Sequence, residues 1–440
     1  MPADALLCPR WIIPVEPAGA VLEGYCVALR DGLIEALLPR ADAEARFPAR
    51  EKIELAGHAL IPGLVNAHTH AAMSLMRGLA DDLPLERWLA EHIWPAEARH
   101  ASPQFVRDGT LLACAEMLRG GITCFNDMYF FPEAALESAL EAGLRISVGM
   151  IVFDFASAYG ADPDDYLAKG LELRDRWREH PLASFCLAPH APYTVSDDTF
   201  RKVAKILGEI DVPLHIHVHE TAHEVERSVA EHGARPLARL ERLGLLGPNL
   251  IAVHAVHLDE REIALLARHR ASVAHCPSSN LKLASGFAPA AKLAAAGVNL
   301  CLGTDGAASN NRLDMFEEMR LGALLAKAVA RDAQALPAHA ALRAATLGGA
   351  AALGLEARIG SIVAGKCADL VAVHLDAPEL APCYDPVSHL VYAAGREHVS
   401  DVWVAGQRLI EGKSPVNSAL RGLDTRSKLW QNILRSPADS

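Results

Sequence analysis

Short runs of β-branched and other apolar residues alternate with longer stretches rich in Ala, Leu, Arg and Glu from about residue 59 onward. This alternation is typical of βα units, in which a buried strand is followed by an amphipathic helix. The strand candidates are ALIPGLVNAH, ITCFNDM, RISVGMIV, ASFCLAPH, PLHIHVHE, LIAVHAV, ASVAHCP and NLCLGTD. Eight such units predict an α/β fold of the (β/α)8 TIM barrel type, closed by its parallel strands.

The two ends of the chain show a different pattern. The segment YCVALRDGLIEALLP contains the hairpin-like turn Asp31-Gly32, and ADLVAVHL and VSDVWVAGQRLIEG are again short strands after the last βα unit. We therefore predict that both chain ends form one small β-sandwich domain, into which the barrel is inserted. The predicted boundaries are 1–58 for its first part, 59–364 for the barrel, 365–417 for its second part and 418–440 for a terminal helix or tail.

Composition narrows the class of protein. The 440 residues are 51% hydrophobic and 22% charged, which excludes a disordered or fibrous chain. Lys and Arg number 42 against 54 Asp and Glu, so a net charge of −12 argues against nucleic acid and against an anionic membrane surface as partners. We expect a small-molecule partner instead, and leave homo-oligomerisation open.

The chain start, the apolar runs and the cysteines bear on where the protein is located in the cell. The chain has no basic residue before Arg10 and its first apolar run breaks at Pro14, unlike a secretory signal. No run approaches the ~18 apolar residues of a membrane span. The nine cysteines form no C-x-x-C pair, and most indicate reduced core residues. Together these features predict a cytoplasmic protein.

Polar residues collect where the predicted barrel strands end, which is where barrel enzymes build their active sites. A single histidine in such a place is usually a satisfied polar group, but recurrence on several strands predicts a functional site. The residues concerned are His68 and His70 after strand one, His190 after strand four, His217 and Glu220 after strand five, His254 after strand six and Asp305 after strand eight.

The spacing of these residues favours a metal centre. His68 and His70 are two apart, so in an extended strand both imidazoles lie on one face. Adding one histidine from strand five and Asp305 gives three nitrogens and one oxygen, a set that suits Zn²⁺ or another first-row divalent ion and leaves one position for water. Strand five offers His215, His217 and His219 on one face, and spacing alone does not choose among them.

The ordered motifs IPGLVNAHTH, IHVHE, AVHAVHL and GTDGAASNN resemble the amidohydrolase superfamily. HTHAAMSLMRG together with GTDGAASNN is similar to its branch of 5′-methylthioadenosine/S-adenosylhomocysteine deaminases, and the resemblance spans essentially the whole chain. It implies one divalent ion per chain, first of all Zn²⁺, with Fe²⁺ and Mn²⁺ as alternatives. The implied ligands are His68, His70, His217 and Asp305.

The resemblance also implies roles in catalysis. Glu220 would be the proton shuttle that protonates a ring nitrogen, Asp305 the base as well as a ligand, and His254 a hydrogen-bonding partner of the metal-bound water. Both Glu220 and Asp305 would then also contact the substrate. His219, His257 and His275 match no such role and are expected to be structural.

Three further residues are implied to bind substrate. The segment LPLERWLAEHIWPAEARH resembles the one that covers the nucleoside, with Glu97 accepting hydrogen bonds from ribose hydroxyls and Trp88 packing on the purine or thioether. His190 matches a substrate-binding histidine. The alternative for the segment is an ordinary amphipathic helix with Trp88 and Trp94 in the core and Glu97 in water.

The function that follows is hydrolytic deamination of an adenine nucleoside, with 5′-methylthioadenosine favoured over S-adenosylhomocysteine. Branch members that accept the homocysteine compound well place arginines after strand three. Here no arginine lies between Arg145, which begins that strand, and Arg174. The region instead supplies Phe153, Phe155 and Tyr159 with Asp154, Asp162, Asp164 and Asp165.

Two alternatives stay open from the sequence. The first is an s-triazine chlorohydrolase, or a deaminase of guanine, 8-oxoguanine or cytosine, with the same metal site. The second is a catalytically silent barrel that serves as a scaffold. The complete ligand set together with Glu220 argues against the silent barrel, because a binding module needs no proton shuttle.

Overall fold

The computed structural model describes residues 3–435. Its strands are β1 Ala3–Ile12, β2 Leu22–Glu23, β3 Tyr25–Arg30, β4 Leu33–Pro39, β5 Ala49–Pro62, β6 Leu64–Thr69, β7 Ile122–Asp127, β8 Arg145–Val152, β9 Ala183–Pro189, β10 Leu214–Val218, β11 Leu250–His254, β12 Ser272–His275, β13 Asn299–Leu302, β14 Leu370–His374, β15 Val399–Val404, β16 Gln407–Glu411 and β17 Ser414–Pro415.

The helices connect these strands. They are α1 Arg40–Arg46, α2 Leu85–Trp88, α3 Trp94–His100, α4 Pro103–Arg119, α5 Pro132–Ala142, α6 Pro163–Trp177, α7 Asp197–Leu207, α8 Ala222–His232, α9 Pro236–Arg242, α10 Glu260–Arg268, α11 Pro277–Lys282, α12 Ala290–Ala295, α13 Met315–Ala330, α14 Ala338–Ala344, α15 Leu347–Ala352, α16 Pro386–Tyr392 and α17 Leu423–Arg435. A 3₁₀ helix, Ala71–Met76, follows β6, and a π-helical turn, Leu89–Ile93, joins α2 to α3.

Strands β6 to β13 form the predicted barrel, with each strand hydrogen-bonded to the next along the chain. Every residue of β6, β7 and β8 is buried, as expected for strands covered by helices on the outside and by side chains within. After β13 the Asp305 N–H donates to the His68 carbonyl oxygen at 3.0 Å, which links the last strand to the first. The predicted fold class is confirmed, and all eight carboxyl ends of the strands meet at one rim.

The two chain ends form a separate nine-stranded sheet, in the order β17-β16-β15-β14-β5-β1-β3-β4 with β2 beside β1. The sheet is continuous, and it encloses a core that includes Leu7, Val27, Ile53 and Trp403. Its strand β5 stays paired with β14 as far as Pro62, directly before the barrel begins. The exact domain boundaries stay a prediction. Residues 436–440 of the predicted tail lie outside the described part.

The structure corrects the expectation for two cysteines. Cys8 and Cys26 lie on the antiparallel neighbours β1 and β3 and form a disulfide bond, whereas the other seven cysteines are free. Cys26 follows Cys8 by 18 positions in the sequence, so only strand pairing reveals that the two side chains are adjacent. Among residues 3–435 no helix is both long and apolar enough to cross a membrane.

Candidate metal centre and substrate cavity

Four predicted ligands converge at the carboxyl rim of the barrel. The Nε2 atoms of His68 and His70 each lie 3.2 Å from Asp305 Oδ1, and His68 Nε2 lies 3.2 Å from His217 Nε2. All four residues lie at or just after the carboxyl ends of β6, β10 and β13, which the closed barrel brings to one rim. The sequence prediction that these residues share one site therefore agrees with the geometry.

The same geometry distinguishes the three histidines of strand five. His217 reaches the centre, while His215 lies behind it with Nε2 3.0 Å from His68 Nδ1. The backbone of His219 is left-handed, with φ of 57°, which ends the strand alternation. Its ring is held outside the cavity, where Nε2 accepts the Leu237 N–H at 3.1 Å and Nδ1 lies 3.2 Å from the His257 carbonyl oxygen.

Each of the three imidazoles at the centre is oriented through its second nitrogen. His217 Nδ1 lies 2.8 Å from the His190 carbonyl oxygen, and His70 Nδ1 lies 2.5 Å from that of Met128. His68 Nδ1 lies 3.0 Å from His215 Nε2. A proton held on Nδ1 by such a partner leaves Nε2 free to bind a metal ion, which is how metal-ligating histidines are usually supported.

Asp305 is held just as firmly. Its Oδ2 accepts hydrogen bonds from Ser279 Oγ at 2.6 Å and Ser309 Oγ at 2.7 Å, so Oδ1 is turned towards the histidines. Its backbone φ of 61° lies in the left-handed region, which non-glycine residues seldom adopt. Burial opposes ionisation, but the hydrogen bonds from His68 and His70 outweigh it and hold the pKa of Asp305 well below its usual value.

These protonation states fit a divalent cation. Burial lowers the pKa of His68 to about 4 and that of His217 well below its usual value, so both rings are neutral near pH 7 and can donate lone pairs. Burial also acts on His70, but its hydrogen bond to Asp305 prevails and raises its pKa to about 9. The Asp305 carboxylate thus stabilises a proton on His70, and a bound metal ion would replace this proton between the two side chains.

Glu220 stands beside this centre at the start of α8. Thr221 caps the helix by accepting the Glu224 N–H at 3.1 Å, and the Glu224 carboxylate accepts the N–H of Glu220 at 2.7 Å. Burial, followed by the nearby negative charge of Asp305, raises the pKa of Glu220 well above its usual value. This shift favours the protonated form of the carboxyl group, which a general acid needs.

His254 lies at the end of β11 with its Nε2 3.7 Å from Glu220 Oε2. Its Nδ1 lies 2.9 Å from Asn280 Oδ1, which fixes the orientation of the ring. The backbone of His254 is left-handed, with φ of 70°. Burial lowers its pKa, so the neutral ring can share a proton with a group at the centre.

A cavity of about 600 Å³ opens above the predicted metal centre, a size typical of small-molecule sites. His70, His217, His254, Glu220 and Asp305 are among the residues that line it. Its other lining residues include Trp88, Glu97, Tyr129, Phe130, Phe153 and Phe155. The cavity therefore combines polar groups beside the centre with largely aromatic walls.

The helical segment 85–100 covers this cavity because of one local irregularity. Pro95 has no N–H for the carbonyl of Glu91, and the Trp94 N–H instead donates to the Leu89 carbonyl, one residue further back than in an α-helix. Glu97 is only 8% exposed and faces the cavity, whereas Trp94 is 42% exposed. The alternative with Trp94 in the core and Glu97 in water is therefore wrong.

Trp88 and His190 line the cavity as well. Trp88 is buried, and its Nε1 donates to the Ala80 carbonyl oxygen at 3.2 Å. His190 Nδ1 lies 3.0 Å from Thr194 Oγ1, and burial lowers the pKa of the ring to about 3. Burial also raises the pKa of Glu97 to about 7.

Sequence reasoning missed the residues that directly follow β7. Tyr129 and Phe130 line the cavity, and the Met128 carbonyl oxygen holds His70. The signal was available, because MYF stands at the carboxyl end of the second barrel strand. Ser279 and Ser309, which hold Asp305, were also not singled out, although Ser309 belongs to the motif GTDGAASNN; Ser279 lies in α11 after β12, and Ser309 lies in the loop after β13.

A (β/α)8 barrel with three histidines, one aspartate and a buried glutamate at its carboxyl rim defines a metal-dependent hydrolase. The sequence matches the model of the Amidohydrolase family over residues 59–409, and the chain belongs to this family. The resemblance inferred from the motifs is confirmed.

Individual proteins agree with this assignment. The chain is 47% identical over 430 residues to 5-methylthioadenosine/S-adenosylhomocysteine deaminase of Saccharophagus degradans, covering 98% of this chain and 96% of that protein. It is 52% identical to an adenosine deaminase from Xanthomonas campestris whose crystal structure holds zinc, with a TM-score of 0.97 and 99% of each chain covered. Atrazine chlorohydrolase from Arthrobacter aurescens, at 24% identity, a TM-score of 0.90 and coverage of 97% and 99%, shares the fold.

Proposed function

We propose that this protein is a metal-dependent deaminase that hydrolyses the 6-amino group of adenine nucleosides, with 5′-methylthioadenosine as its best substrate. The observation that carries the proposal is the convergence of His68, His70, His217 and Asp305 beside the buried Glu220, beneath a cavity sized for a nucleoside. The similarity to deaminases of adenine nucleosides supports this substrate over triazines, guanine or cytosine, and over a silent scaffold.

His68, His70, His217 and Asp305 would hold the metal ion, one per chain. Zn²⁺ is proposed because the related Xanthomonas structure holds zinc and because nitrogen and carboxylate donors suit it, although they also suit Fe²⁺ and Mn²⁺. When bound, the ion supplies Lewis acidity that lowers the pKa of a water molecule towards about 7.

The residues of the chain then divide the proton transfers between them. Glu220 donates its proton to the purine ring nitrogen next to C6, which makes C6 more electrophilic. The ionised Asp305 carboxylate accepts a proton from the attacking water, and His254 orients that water by hydrogen bonding. Asp305 then passes its proton to the amino group, which leaves as ammonia, and the proton of the new C6 hydroxyl group returns to Glu220 as the carbonyl of the inosine analogue forms.

The cavity walls would bind the rest of the nucleoside. Glu97 accepts hydrogen bonds from the ribose hydroxyls, while Trp88 and the neutral His190 contact the base and the sugar. Phe130 and Phe153, whose rings are stacked with centroids 5.6 Å apart, offer an apolar surface to the 5′ substituent. We propose a cytoplasmic location, since seven of the nine cysteines are free and the Cys8–Cys26 bond is the exception.

The experiment is a turnover comparison on protein of known metal content. Purified enzyme is assayed for ammonia release with 5′-methylthioadenosine, S-adenosylhomocysteine, adenosine and guanine, and for chloride release with atrazine. The Glu220→Gln variant at the same metal content is the control for contaminating activity. Faster turnover of guanine or atrazine than of any adenine nucleoside would overturn the proposal, and metal-loaded protein without any turnover would support the scaffold.

A further inference from the structure

The three residues that follow β7 each serve a different part of the cavity. The Met128 carbonyl oxygen holds His70, and the Phe130 ring stacks on Phe153. Between them, Tyr129 lines the cavity wall and is 4% exposed. Its hydroxyl group faces the carboxyl group of Glu97. The proposed mechanism gives Tyr129 no part.

The Tyr129 hydroxyl is buried and makes no hydrogen bond of normal geometry with any residue in the described range 3–435. A buried hydroxyl without a partner costs on the order of 1–3 kcal/mol. Such a group at a cavity wall indicates a hydrogen bond that is completed when the cavity is filled. Burial, followed by the neighbouring Glu97 charge, raises the pKa of Tyr129 well above its usual value, so the hydroxyl stays a donor.

We propose that Tyr129 positions Glu97 for recognition of the ribose, an inference that rests on the proposed nucleoside deaminase function. The Tyr129 hydroxyl donates to one oxygen of the Glu97 carboxylate, and the other oxygen is thereby turned towards the two ribose hydroxyls. A carboxylate has acceptor sites for all three hydrogen bonds. The arrangement is needed because Glu97 stands on the segment after the π-helical turn and has a flexible side chain of its own.

The variant Tyr129→Phe tests this role, because it removes one oxygen atom and keeps the ring that fills the wall. It is compared with wild type on adenosine and on 2′,3′-dideoxyadenosine, which lacks both hydroxyls that Glu97 would bind. We expect kcat/KM for adenosine to fall about tenfold, mainly through KM, and kcat/KM for the dideoxy compound to change less than about twofold. Where dideoxyadenosine reacts too slowly, its inhibition constant against adenosine replaces the rate. Tyr392→Phe on α16, outside the cavity lining, removes the same atom and should leave both substrates unaffected.

The dependence on Glu97 is tested in a double variant. If Tyr129 acts through Glu97, then Tyr129→Phe should cause no further loss in a Glu97→Gln background. Equal losses on the two nucleosides, additive losses in the double variant, or an unchanged KM for adenosine would each overturn the inference. These outcomes are separate from failure of the proposed function, which wild-type protein without activity on any adenine nucleoside would reveal.

Discussion

The wall of the cavity should discriminate a neutral nucleoside tail from a charged one. Phe153 and Phe155 lie with ring centroids 4.6 Å apart, and both line the cavity with Phe130. Among the described residues, no lysine or arginine lines it. Arg145, at the start of β8, is buried in an ion pair with Asp369, which directly precedes β14 of the nine-stranded sheet, and Arg145 does not line the cavity.

The free-energy difference between the two substrates comes from burial of the tail rather than from charge repulsion. Three aspartates of this region already have partners in the protein. Asp154 accepts the Ser196 N–H, Asp162 caps α6, and Asp164 forms an ion pair with Lys202. Burial of a methyl-sized group contributes ~0.8 kcal/mol, whereas a charged tail left unpaired in an apolar site costs on the order of a few kcal/mol.

Partial hydration reduces that cost at the cavity mouth. Phe155 is 44% exposed, so water still reaches the end of a long substituent. We therefore expect a difference of at least about 1.4 kcal/mol, which corresponds to a kcat/KM for 5′-methylthioadenosine at least about tenfold above that for S-adenosylhomocysteine. Initial rates of ammonia release at matched substrate concentrations measure this ratio.

A positive charge introduced at the mouth of the cavity should reduce the preference for 5′-methylthioadenosine over S-adenosylhomocysteine. Phe155→Arg places a guanidinium where the tail carboxylate would lie, and we expect the ratio to fall by about tenfold. Phe287→Arg is the matched control, because it adds the same charge at a residue that is 60% exposed and does not line the cavity. Equal rates for the two wild-type substrates, or an equal effect of both substitutions, would refute the reasoning.

Three further predictions concern the metal, the pH profile and the domain contact. His217→Ala should lose the metal by elemental analysis, whereas Glu220→Gln should keep it and lose turnover by about 10²-fold or more; normal metal in the first or a normal rate in the second would contradict these roles. The pKa of Glu97 is raised to about 7, so the ionised fraction of Glu97 grows as pH rises through that value and KM for 5′-methylthioadenosine should fall. Glu97→Gln should remove this dependence of KM on pH. If KM of the variant depends on pH as it does in wild type, another group causes the dependence. Arg145→Ala leaves the buried Asp369 carboxylate unpaired and should lower the free energy of unfolding by about 3–5 kcal/mol in urea titrations; a loss below about 1 kcal/mol would show that the pair is not needed.

Sequence patterns over neighbouring residues determine much of the architecture of this protein. The alternation of apolar runs and amphipathic stretches predicts eight βα units, because strand and helix periods depend on neighbours a few residues away. Closure of those units into a barrel then places every strand end at one rim. The positions of His68, His70 and Asp305 at the ends of their strands therefore predicted a common site without any knowledge of distances.

Only the tertiary structure decided which side chains meet across that rim. The left-handed backbone at His219 and the contact of His215 with His68 separate His217 from its neighbours, although all three have the same spacing. The inward direction of Glu97 depends on a widened turn that packs over the barrel, and the Cys8–Cys26 bond depends on strand pairing. Sequence periodicity specifies the face of an element on which a residue lies, whereas the conformation of loops and the partners of buried polar groups depend on contacts between segments far apart in the chain.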